Sequence, residues 1–421
     1  MDFVAAARQH SAMSETHLIV GAGQAGGWAA VTLRQAGFAG RIVLIGAEPW
    51  LPYERPPLSK AVLTAETEPP IAYFRDPARY SEAGIETLMG VRALEIDRKR
   101  QQLRLADGRV LAYDRLLLAT GGRARALTVP GGERALGLRT LEDARAIRAR
   151  LAAARQVVCI GAGVIGLEVA ASARARGAAV TVLEAAARPM GRSVSPEGAD
   201  FVARLHRAAG VALRCGVAVA AIEAGADGAQ RVLTADGGAF PADLVLAGVG
   251  MERNLELAAA AGLALDGGIA VDAWGRSSDP AIFAAGDVAA FLHPLFPDRR
   301  LRLESWRHAQ NHGIAVGRAM AMAEAPAYDD IPWFWTDQHG VNLQVAGFPA
   351  EAARTVVRVD QERVFVAVHL DPADRVIGVT AAGSPRDIRA GTALIRAGCP
   401  VDPRLLADAS VPLPAPRPAG R

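Results

Sequence analysis

"QVVCIGAGVIGLEVAASARARGAAVTVLE", residues 156–184, is the stretch that decides the fold of this chain. A short β-branched apolar run leads into Gly-x-Gly-x-x-Gly, a helix of small residues follows, and a second β run ends on an acid. A strand, a glycine turn, a helix and a strand in this order form the fingerprint of dinucleotide binding. We therefore predict a βαβ unit with parallel strands here.

Each glycine of this fingerprint has its own mechanical task. Gly161 permits the tight turn after the strand, Gly163 lets a pyrophosphate approach bare backbone, and Gly166 lets the helix pack closely. The phosphate then sits at the helix N-terminus, where N–H groups and the helix dipole favour an anion. Glu184 follows at the distance that ribose binding requires. Its carboxylate repels a 2′-phosphate and only alanines follow at 185–187, so NADH is favoured over NADPH.

The same device stands earlier in the chain, in "HLIVGAGQAGGWAAVTLRQAGFAGRIVLIGAE" (17–48). Gly21, Gly23 and Gly26 repeat the spacing, and Glu48 takes the place of the acid. One such motif alone is weak, but two complete units in one chain predict two bound dinucleotides. We assign FAD to the first unit, near the chain start. The alternative is a pair of glycine-rich turns that bind no ligand.

Two further segments support FAD. "DRLLLATGG" (114–122) predicts an apolar strand that runs into a small-residue turn. "DPAIFAAGDVAAF" (279–291) predicts a strand that ends at Gly286 and Asp287 before a helix. An acid at a strand end beside a flavin site suits a ribityl hydroxyl. The alternative for Asp287 is a plain helix cap.

The composition bounds the class of protein. A chain of 421 residues predicts two or three domains, and 51% hydrophobic with 22% charged residues fits a compact soluble protein. A net charge of +3 is too mild to predict nucleic acid binding. The three cysteines lie far apart, which argues against a disulfide scaffold or zinc site and fits the cytoplasm. Neither a membrane span nor a secretory signal is expected.

Several stretches occur together in this order: "LPYERPPLSK", "LLLATGGRARAL", "LRTLEDARAIR", "GAGVIGLEVAA", "SDPAIFAAGDVA", "ESWRHAQNHG" and "PWFWTDQHGVNLQVAG". With them, residues 14–412 resemble the FAD-dependent ferredoxin reductases of bacterial oxygenase and P450 systems (the putidaredoxin reductase and biphenyl dioxygenase reductase type). The resemblance implies an α/β protein of the glutathione-reductase-like fold. It has two Rossmann-like dinucleotide-binding domains, of which the FAD domain is discontinuous and the NADH domain inserted, plus a C-terminal α+β domain. The expected boundaries are 14–122 and 250–331 for FAD, 123–249 for NADH, 332–412 for the C-terminal domain, and 413–421 for a disordered tail.

The resemblance also implies which residues bind the cofactors. Beyond the glycines and acids above, it assigns FAD contacts to Ala25, Arg55, Lys60, Ala93, Thr120, Gly121, Arg139, Asp287 and Trp306, the last through its backbone at the flavin ring. Many members carry an acid at the position of Ala47, so the register of the ribose ligand between Ala47 and Glu48 stays open. No metal site is expected.

Lys60 is one of only two lysines in the chain, with Lys99. The prolines of "LPYERPPLSK" fix the backbone and predict a helix that begins at about Leu58 or Ser59. Family members pair a lysine and a glutamate beside the flavin, and the resemblance implies Lys60 and Glu168 as this catalytic pair, with Glu168 on the first turn of the NADH-domain helix and also in contact with NADH. The alternative is a surface lysine and a helix N-terminal acid favoured by the dipole.

The exit of the electrons is predicted from the inventory of residues. No cysteine precedes Cys159, where a buried inert thiol is expected, so thiol relay chemistry is excluded. One-electron transfer to an iron–sulfur protein remains, and the resemblance implies a [2Fe-2S] ferredoxin, with an arginine-rich docking patch at 297–310. The alternative for each arginine of this segment is a solvated surface residue with no part in docking. The resemblance also suggests that Trp335 contributes to the exit route; the alternative is that the aromatic cluster around it only packs in the core.

Alternative functions are a rubredoxin reductase, or a flavin-containing NADH-sensing or binding protein of the same fold; the modest charge argues against nucleic acid. The chain is expected to be a monomer or weak homodimer. Residues 231–250 predict a hairpin and a strand, residues 354–383 predict three antiparallel strands, and a helix is expected over 386–397.

Overall fold

The computed structural model describes residues 15–225 and 229–413, so most of the predicted disordered tail, 414–421, lies outside this part of the chain. Leu413, the first residue of that predicted tail, is buried. The described chain forms two compact units. Unit 1 comprises the chain up to Glu54, Ile71–Gly122 and Arg253–Asp330. Unit 2 comprises Arg55–Pro70, Arg123–Glu252 and the chain from Ile331 onward.

The strands, in chain order, are β1 (Thr16–Val20), β2 (Arg41–Gly46), β3 (Ile85–Met89), β4 (Ala93–Asp97), β5 (Gln102–Leu105), β6 (Val110–Ala112), β7 (Arg115–Leu118), β8 (Gly122–Ala124), β9 (Gln156–Ile160), β10 (Ala179–Glu184), β11 (Ala212–Cys215), β12 (Val219–Ala224), β13 (Gln230–Thr234), β14 (Ala239–Ala242), β15 (Leu244–Ala247), β16 (Met251–Arg253), β17 (Ile269–Val271), β18 (Ile282–Ala284), β19 (Ala289–His293), β20 (Phe296–Leu301), β21 (Trp333–Gln338), β22 (Val341–Gly347), β23 (Arg354–Asp360), β24 (Phe365–Leu370) and β25 (Val376–Ala382). The α-helices are α1 (Gln24–Gln35), α2 (Ala61–Thr64), α3 (Ala78–Glu82), α4 (Leu141–Leu151), α5 (Val164–Ala175), α6 (Pro196–Ala208), α7 (Glu256–Ala260), α8 (Trp306–Ala321), α9 (Pro385–Ala397) and α10 (Pro403–Ala407). Single 3-10 turns occur at Pro56–Ser59, Gly132–Arg134, Gly286–Val288 and Pro349–Glu351.

Unit 1 is built on a five-stranded parallel sheet in the order β18-β7-β1-β2-β3. β1 and β2, the two strands of the first fingerprint, are neighbours, as a βαβ unit requires. Both strands are almost wholly buried, which is the pattern of a parallel sheet covered on both faces. Helices α1 and α8 contribute Ala25, Ala29 and Val316 to the same core.

Unit 2 contains a four-stranded parallel sheet in the order β11-β10-β9-β15. β9 and β10 come from the second fingerprint, residues 156–184, and they too are neighbours. The hairpin predicted over 231–250 is confirmed as β13 and β14, and the strand after it, β15, pairs with β9. The two parallel sheets confirm the predicted pair of Rossmann-like folds.

The C-terminal part of unit 2 is a five-stranded antiparallel sheet in the order β21-β22-β25-β24-β23. The three strands predicted over 354–383 are confirmed as β23, β24 and β25, and the predicted helix is confirmed as α9. Phe201 of α6 stacks on Phe365 of β24 with ring centroids 5.1 Å apart. The parallel and antiparallel sheets of unit 2 therefore share one hydrophobic core.

Two local predictions differ from the structure. The helix expected from about Leu58 or Ser59 begins at Ala61, as α2, and a 3-10 turn precedes it from Pro56, because a proline suits the first helical position. Asp287 was expected before a helix, but it lies in the single 3-10 turn Gly286–Val288, which leads directly into β19. The residues 55–70 group with unit 2, although the sequence-based division assigns them to the FAD domain.

Candidate active site

Lys60 ends the proline-rich segment, and its ammonium group meets a buried carboxylate. The turn Pro56–Ser59 delivers Lys60 Nζ to 2.7 Å from Glu168 Oε2, and Nζ also lies 3.4 Å from the Pro56 carbonyl oxygen. The side chain of Lys60 is 25% exposed, whereas that of Glu168 is 3% exposed. The two residues that the family resemblance pairs as catalytic therefore lie in contact within unit 2.

The Glu168 carboxylate accepts hydrogen bonds from four donors. Lys60 and the Ser59 hydroxyl donate to Oε2. The Thr336 hydroxyl donates to Oε1 at 2.7 Å, and the backbone N–H of Asp337 lies 3.4 Å from the same atom. A buried charge needs a partner and hydrogen bonds to be tolerated. Because both carboxylate oxygens are occupied, the orientation of Glu168 is fixed.

The position of Glu168 on its helix also differs from the expectation. Glu168 is the fifth residue of α5, and the first turn of that helix contains no acid. Its charge is therefore compensated by side chains and an N–H from elsewhere in unit 2, and not by the end of its own helix. One turn later, Ser172 donates to the Ser59 carbonyl oxygen at 2.6 Å and holds the proline turn on α5.

Sequence reasoning missed Ser59 and Thr336. Ser59 directly precedes Lys60, and its polarity within an apolar turn is the only sequence signal for it. Thr336 lies 168 residues from Glu168 in the sequence. The tryptophans of its strand, which are the residues that the sequence suggests as functional, lie on the other face from Thr336. Side chains alternate along a strand, so Thr336 is buried while Trp335 is half-buried on the other face.

The tryptophans of β21 form a pair. The rings of Trp333 and Trp335 stack with centroids 5.5 Å apart, and the Trp335 indole N–H donates to Asp337 Oδ2 at 3.0 Å. This pairing fixes the Trp335 ring on the partly exposed face of the strand. Its part in electron exit stays a prediction.

The second fingerprint adopts the geometry that its glycines were expected to need. Gly161 has φ +97, and a Cβ there would lie 2.6 Å from the Gly248 carbonyl oxygen. A Cβ at Gly166 would lie 2.1 Å from the Gly161 carbonyl oxygen, so the helix packs on the turn at backbone distance. Gly163 is the N-cap of α5 and has no side chain to occupy the first N–H groups. These N–H groups can receive a phosphate.

Glu184 ends β10 beside that turn. Its Oε2 accepts from the Ala162 N–H at 2.6 Å, and its Oε1 accepts from the Ala186 N–H at 2.8 Å. The carboxylate is thus anchored to the glycine loop with lone pairs left for ribose hydroxyls. This arrangement fits NADH.

The first fingerprint repeats this arrangement in unit 1. A Cβ at Gly26 would lie 1.9 Å from the Gly21 carbonyl oxygen, whereas a Cβ at Gly23 would meet nothing within 4 Å. The backbone at Gly23 therefore borders open space at the N-terminus of α1, which is the cradle that a pyrophosphate needs. Ala25 borders the same region, because a Cβ on Gly286 would lie 2.8 Å from the Ala25 methyl. The residues of unit 1 fit FAD.

Glu48 and Ala93 follow the neighbouring strands of unit 1. Glu48 Oε2 accepts from the Tyr53 hydroxyl at 2.6 Å. The N–H of Gly90 donates to the Glu48 carbonyl oxygen at 2.9 Å, which places the segment before Ala93, the first residue of β4, next to the end of β2. The ribose register between Ala47 and Glu48 stays a prediction.

Thr120 and Gly121 lie after the carboxyl end of β7, the neighbour of β1. Gly121 is left-handed with φ +58. The Asn254 side chain donates to the Thr120 carbonyl oxygen at 2.9 Å, and the Thr120 hydroxyl donates to the Asn254 carbonyl oxygen at 2.9 Å. Sequence reasoning missed Asn254, which ties two of the three chain segments of unit 1 together at this strand end.

Asp287 and Trp306 come from the returning part of unit 1. Asp287 is buried, and its carbonyl oxygen accepts from Arg253 Nε at 2.8 Å. Trp306 is the first residue of α8, and its indole N–H donates to the Glu54 carboxylate. Burial raises the pKa of Glu54 above its ordinary value, against the effect of that hydrogen bond. Glu54, also missed from sequence, fixes the Trp306 side chain.

Arg55 and Arg139 lie together in unit 2. The Arg55 guanidinium donates to the Arg139 carbonyl oxygen at 2.5 Å. The Arg139 N–H donates to Asp143 Oδ2 at 2.9 Å, in the capping box that starts α4 at Thr140. The two arginines that the resemblance assigns to FAD are thus held by one helix start.

The arginine-rich segment 297–310 is less basic than the sequence suggests. Arg300 and Arg302 both lie within 4.0 Å of Asp266 carboxylate oxygens, and Arg307 lies 3.7 Å from Asp330 Oδ2. Acids from other segments of unit 1 therefore offset three of its arginines, which reduces the charge available for docking an acidic protein.

Cys159 and the metal-ligating side chains in the described part of the chain form no further reactive centre. Cys159 lies fully buried in β9, where burial raises the pKa of its thiol to about 12, as expected of an inert thiol. Across residues 15–225 and 229–413, no cluster of His, Cys, Asp or Glu could hold a metal ion. Within the same ranges, no helix is both long and apolar enough to span a bilayer.

Comparison with family models matches two parts of this chain. The model of the pyridine nucleotide-disulphide oxidoreductases matches residues 15–313, and the model of the reductase C-terminal domain matches residues 333–415. Together they cover both parallel sheets and the C-terminal sheet.

Individual relatives match over nearly the full length. Putidaredoxin reductase CamA of Pseudomonas putida is 41% identical over 405 residues, covering 94% of this chain and 95% of the relative. The ferredoxin–NAD(+) reductase component of the anthranilate 1,2-dioxygenase system of Burkholderia cepacia is 42% identical, covering 95% and 98%. The solved ferredoxin reductase for the CYP199A2 system from Rhodopseudomonas palustris superposes with a TM-score of 0.90 at 40% identity, covering 94% and 98%.

Proposed function

The chain belongs to the ferredoxin–NAD(+) reductases of the pyridine nucleotide-disulphide oxidoreductase family, and on that premise we propose that it passes electrons from NADH through FAD to a [2Fe-2S] ferredoxin that supplies an oxygenase. Membership of the family brings FAD and NAD(H) as cofactors. A solved covalent complex of putidaredoxin reductase with putidaredoxin, whose reductase superposes on this chain with a TM-score of 0.88, supports a ferredoxin as the partner.

The ion pair between Lys60 and Glu168 is the observation that carries the proposal. Glu168 lies on α5, the helix whose first residues form the second fingerprint, so Lys60 is held close to the loop assigned to NADH. A fixed cation stabilises negative charge that develops beside it, because it needs no reorganisation during the reaction. When bound, FAD supplies the acceptance of a hydride and the release of single electrons.

In this proposal, the other predicted residues bind the two cofactors and orient them. Gly21, Gly23, Ala25 and Gly26 hold the FAD pyrophosphate, and Glu48 or its neighbour binds ribose. Further FAD contacts are assigned to Arg55, Lys60, Ala93, Thr120, Gly121, Arg139, Asp287 and Trp306. Gly161, Gly163 and Gly166 hold the pyrophosphate of NADH, while Glu184 accepts its ribose hydroxyls and excludes a 2′-phosphate.

Residue inventory supports one-electron exit to a protein acceptor. Among the described residues no cysteine forms a disulfide, and the thiol of Cys159, in the first strand of the second fingerprint, is buried and inert. Acceptor docking at 297–310 and a separate part for Trp335 in electron exit belong to this proposal, and we expect a cytoplasmic monomer or weak homodimer. The domain boundaries given from the sequence are part of this proposal.

The test is reduction of the FAD-loaded protein by NADH, followed by turnover with candidate ferredoxins. Cytochrome c reduction that requires an added [2Fe-2S] ferredoxin supports the proposal. Equal turnover with rubredoxin alone would favour a rubredoxin reductase instead. Flavin that NADH leaves oxidised would contradict reductase activity and favour a binding or sensing protein of the same fold.

A further inference from the structure

A chain of side-chain hydrogen bonds leads from the Glu168 carboxylate into the C-terminal sheet. Thr336 Oγ1 lies 2.7 Å from Glu168 Oε1, and the Gln338 side-chain amide donates to Thr336 Oγ1 at 3.1 Å. Thr336 and Gln338 are two residues apart on β21, so they share one face of the strand. All three side chains are buried.

The chain continues through two histidines. His206 Nε2 of α6 lies 2.8 Å from Gln338 Oε1, and His339 Nε2 lies 3.2 Å from His206 Nδ1. The two imidazole rings meet edge to face with centroids 4.5 Å apart. His206 is fully buried, whereas His339, at the turn between β21 and β22, is partly exposed. The hydrogen-bonded path therefore joins the active-site carboxylate to the turn at the end of β21.

Every bond in this path points toward Glu168. The Gln338 amide occupies a lone pair of Thr336 Oγ1, so the Thr336 hydroxyl has its proton available for Glu168. The Gln338 carbonyl oxygen requires the Nε2–H tautomer of His206, which leaves His206 Nδ1 to accept from His339. One tautomer of each histidine satisfies the whole path.

Both histidines are in the protonation state that this path needs. Burial lowers the pKa of His206 to about 4, against the effect of its hydrogen bond to Gln338. Burial, followed by the charges of Arg174 and Arg363, lowers the pKa of His339. At neutral pH each ring is therefore uncharged, with one N–H to donate and one lone pair to accept.

We propose that Thr336, Gln338 and His206 are positioning residues of the flavin-reducing site: they fix the Glu168 carboxylate and, through it, the Lys60 ammonium. This inference rests on the proposed function for its kinetic meaning, but its geometric part concerns only side chains of unit 2. A desolvated chain of hydrogen bonds is rigid, because breaking any member leaves a buried polar group without a partner. The position of Lys60 is thereby set from the C-terminal sheet.

The lysine content of the chain offers a direct probe. Lys60 and the exposed Lys99 are its only lysines, so trace acetylation of the FAD-loaded protein, read by mass spectrometry, reports Lys60 against an internal standard. Thr336→Val keeps the shape and removes the hydroxyl. We expect the acetylation of Lys60 relative to Lys99 to rise at least about three-fold, because a hydrogen bond to a charged group is lost. Thr336→Ser, which keeps the hydroxyl, restores the protection of Lys60.

Thr380→Val is the matched control. Thr380 is fully buried in β25 of the same sheet, and its hydroxyl lies 3.0 Å from His369 Nε2, outside the path to Glu168. We expect this variant to leave the acetylation ratio unchanged, and Gln338→Leu to raise it in the same direction as Thr336→Val. A ratio unchanged in Thr336→Val, or raised equally by Thr380→Val, would overturn the inference.

Stopped-flow reduction by NADH gives the kinetic readout. Thr336→Val should lower the limiting rate of flavin reduction about ten-fold with little change in NADH affinity, since the lost interaction acts through Lys60. In a Lys60→Met background, Thr336→Val should not lower the limiting rate of flavin reduction any further, as expected of residues that act as a unit. A wild-type flavin that NADH does not reduce would refute the proposed function, whereas the acetylation ratio would still decide the inference.

Discussion

At the scale of single residues, Glu168 organises the candidate active site. Its side chain is 3% exposed, and its carboxylate accepts hydrogen bonds from Lys60, Ser59, Thr336 and the Asp337 N–H. A carboxylate held in this way restricts the ammonium group of a neighbouring lysine to one position. The place at which the Lys60 ammonium is held then determines its chemical role.

Replacing Lys60 with methionine tests that role. Lys60→Met removes the cation and keeps much of the apolar stem, so we expect flavin reduction by NADH to slow about 100-fold, the size of effect seen when one preorganised electrostatic group is lost. FAD content should stay near that of the wild type. Stopped-flow measurement of flavin reduction checks this, with Lys99→Met as the exposed control. An unchanged rate of flavin reduction in Lys60→Met would contradict this role of Lys60.

We propose that Glu184 determines the choice of nicotinamide cofactor. Glu184→Gln keeps the size of the side chain but loses the charge, so NADH should bind about ten-fold more weakly, because hydrogen bonds to a charged group are the stronger ones. Discrimination against NADPH should relax as well, since the 2′-phosphate is no longer repelled. Binding titrations with both nucleotides measure this, and a variant that keeps its full preference for NADH would contradict the assignment.

Residue contacts divide into those that the sequence predicts and those that it cannot. The pairing of Lys60 with Glu168 came from the family resemblance, whereas the spacing of the residues alone gave no sign of it. Thr336 carries no local signal, because its contact with Glu168 depends on how β21 meets α5 in the folded unit. The pairing of Arg300 and Arg302 with Asp266 could not be predicted from the sequence either, because it also depends on the folded arrangement of the chain.

At the scale of elements, the two fingerprints were predictable because each is local in sequence. A β-branched run, a glycine turn and a small-residue helix fold together, and the structure has β1-α1-β2 and β9-α5-β10 in the expected parallel pairs. Local reasoning failed at Asp287, where one 3-10 turn precedes a strand. A glycine–aspartate pair after a strand fits both outcomes, and the pairing of β19 with β17 and β20 decides between them.

Two alanine substitutions separate the mechanical tasks of the first fingerprint. At Gly23 a Cβ meets nothing within 4 Å, so Gly23→Ala should fold normally and lose FAD affinity, because the methyl fills the pyrophosphate cradle. At Gly26 a Cβ would lie 1.9 Å from the Gly21 carbonyl oxygen. Gly26→Ala should therefore lower the free energy of unfolding by about 1–3 kcal/mol. FAD content and thermal unfolding of both variants check this, and FAD binding unaffected by Gly23→Ala would contradict the cradle.

At the scale of the whole molecule, buried histidines set the response to acid. Burial lowers the pKa values of His206, His308 and His369 to about 4 in the folded chain. In the unfolded chain a histidine takes up its proton near pH 6.5. Between these values the unfolded state binds more protons, so stability falls as pH falls from about 6.5 to about 4.

Each such histidine contributes up to about 3 kcal/mol to this loss, since one pKa unit corresponds to about 1.4 kcal/mol. We expect thermal unfolding temperatures to be nearly constant above about pH 7 and to drop steeply below about pH 6. His369→Gln, at a site outside the path to Glu168, should reduce the slope. Stability that stays level down to pH 4 would contradict the buried, uncharged histidines.

In the proposed function, this chain binds FAD and NADH so that electrons enter as a hydride next to the Lys60–Glu168 pair. Anaerobic titration of the FAD-loaded protein with NADH, followed by visible absorbance, tests it most directly. We predict that one equivalent of NADH bleaches the flavin completely, and that two equivalents of a [2Fe-2S] ferredoxin added afterwards, each taking one electron, restore the oxidised spectrum. A flavin that stays oxidised under excess NADH would contradict the claim.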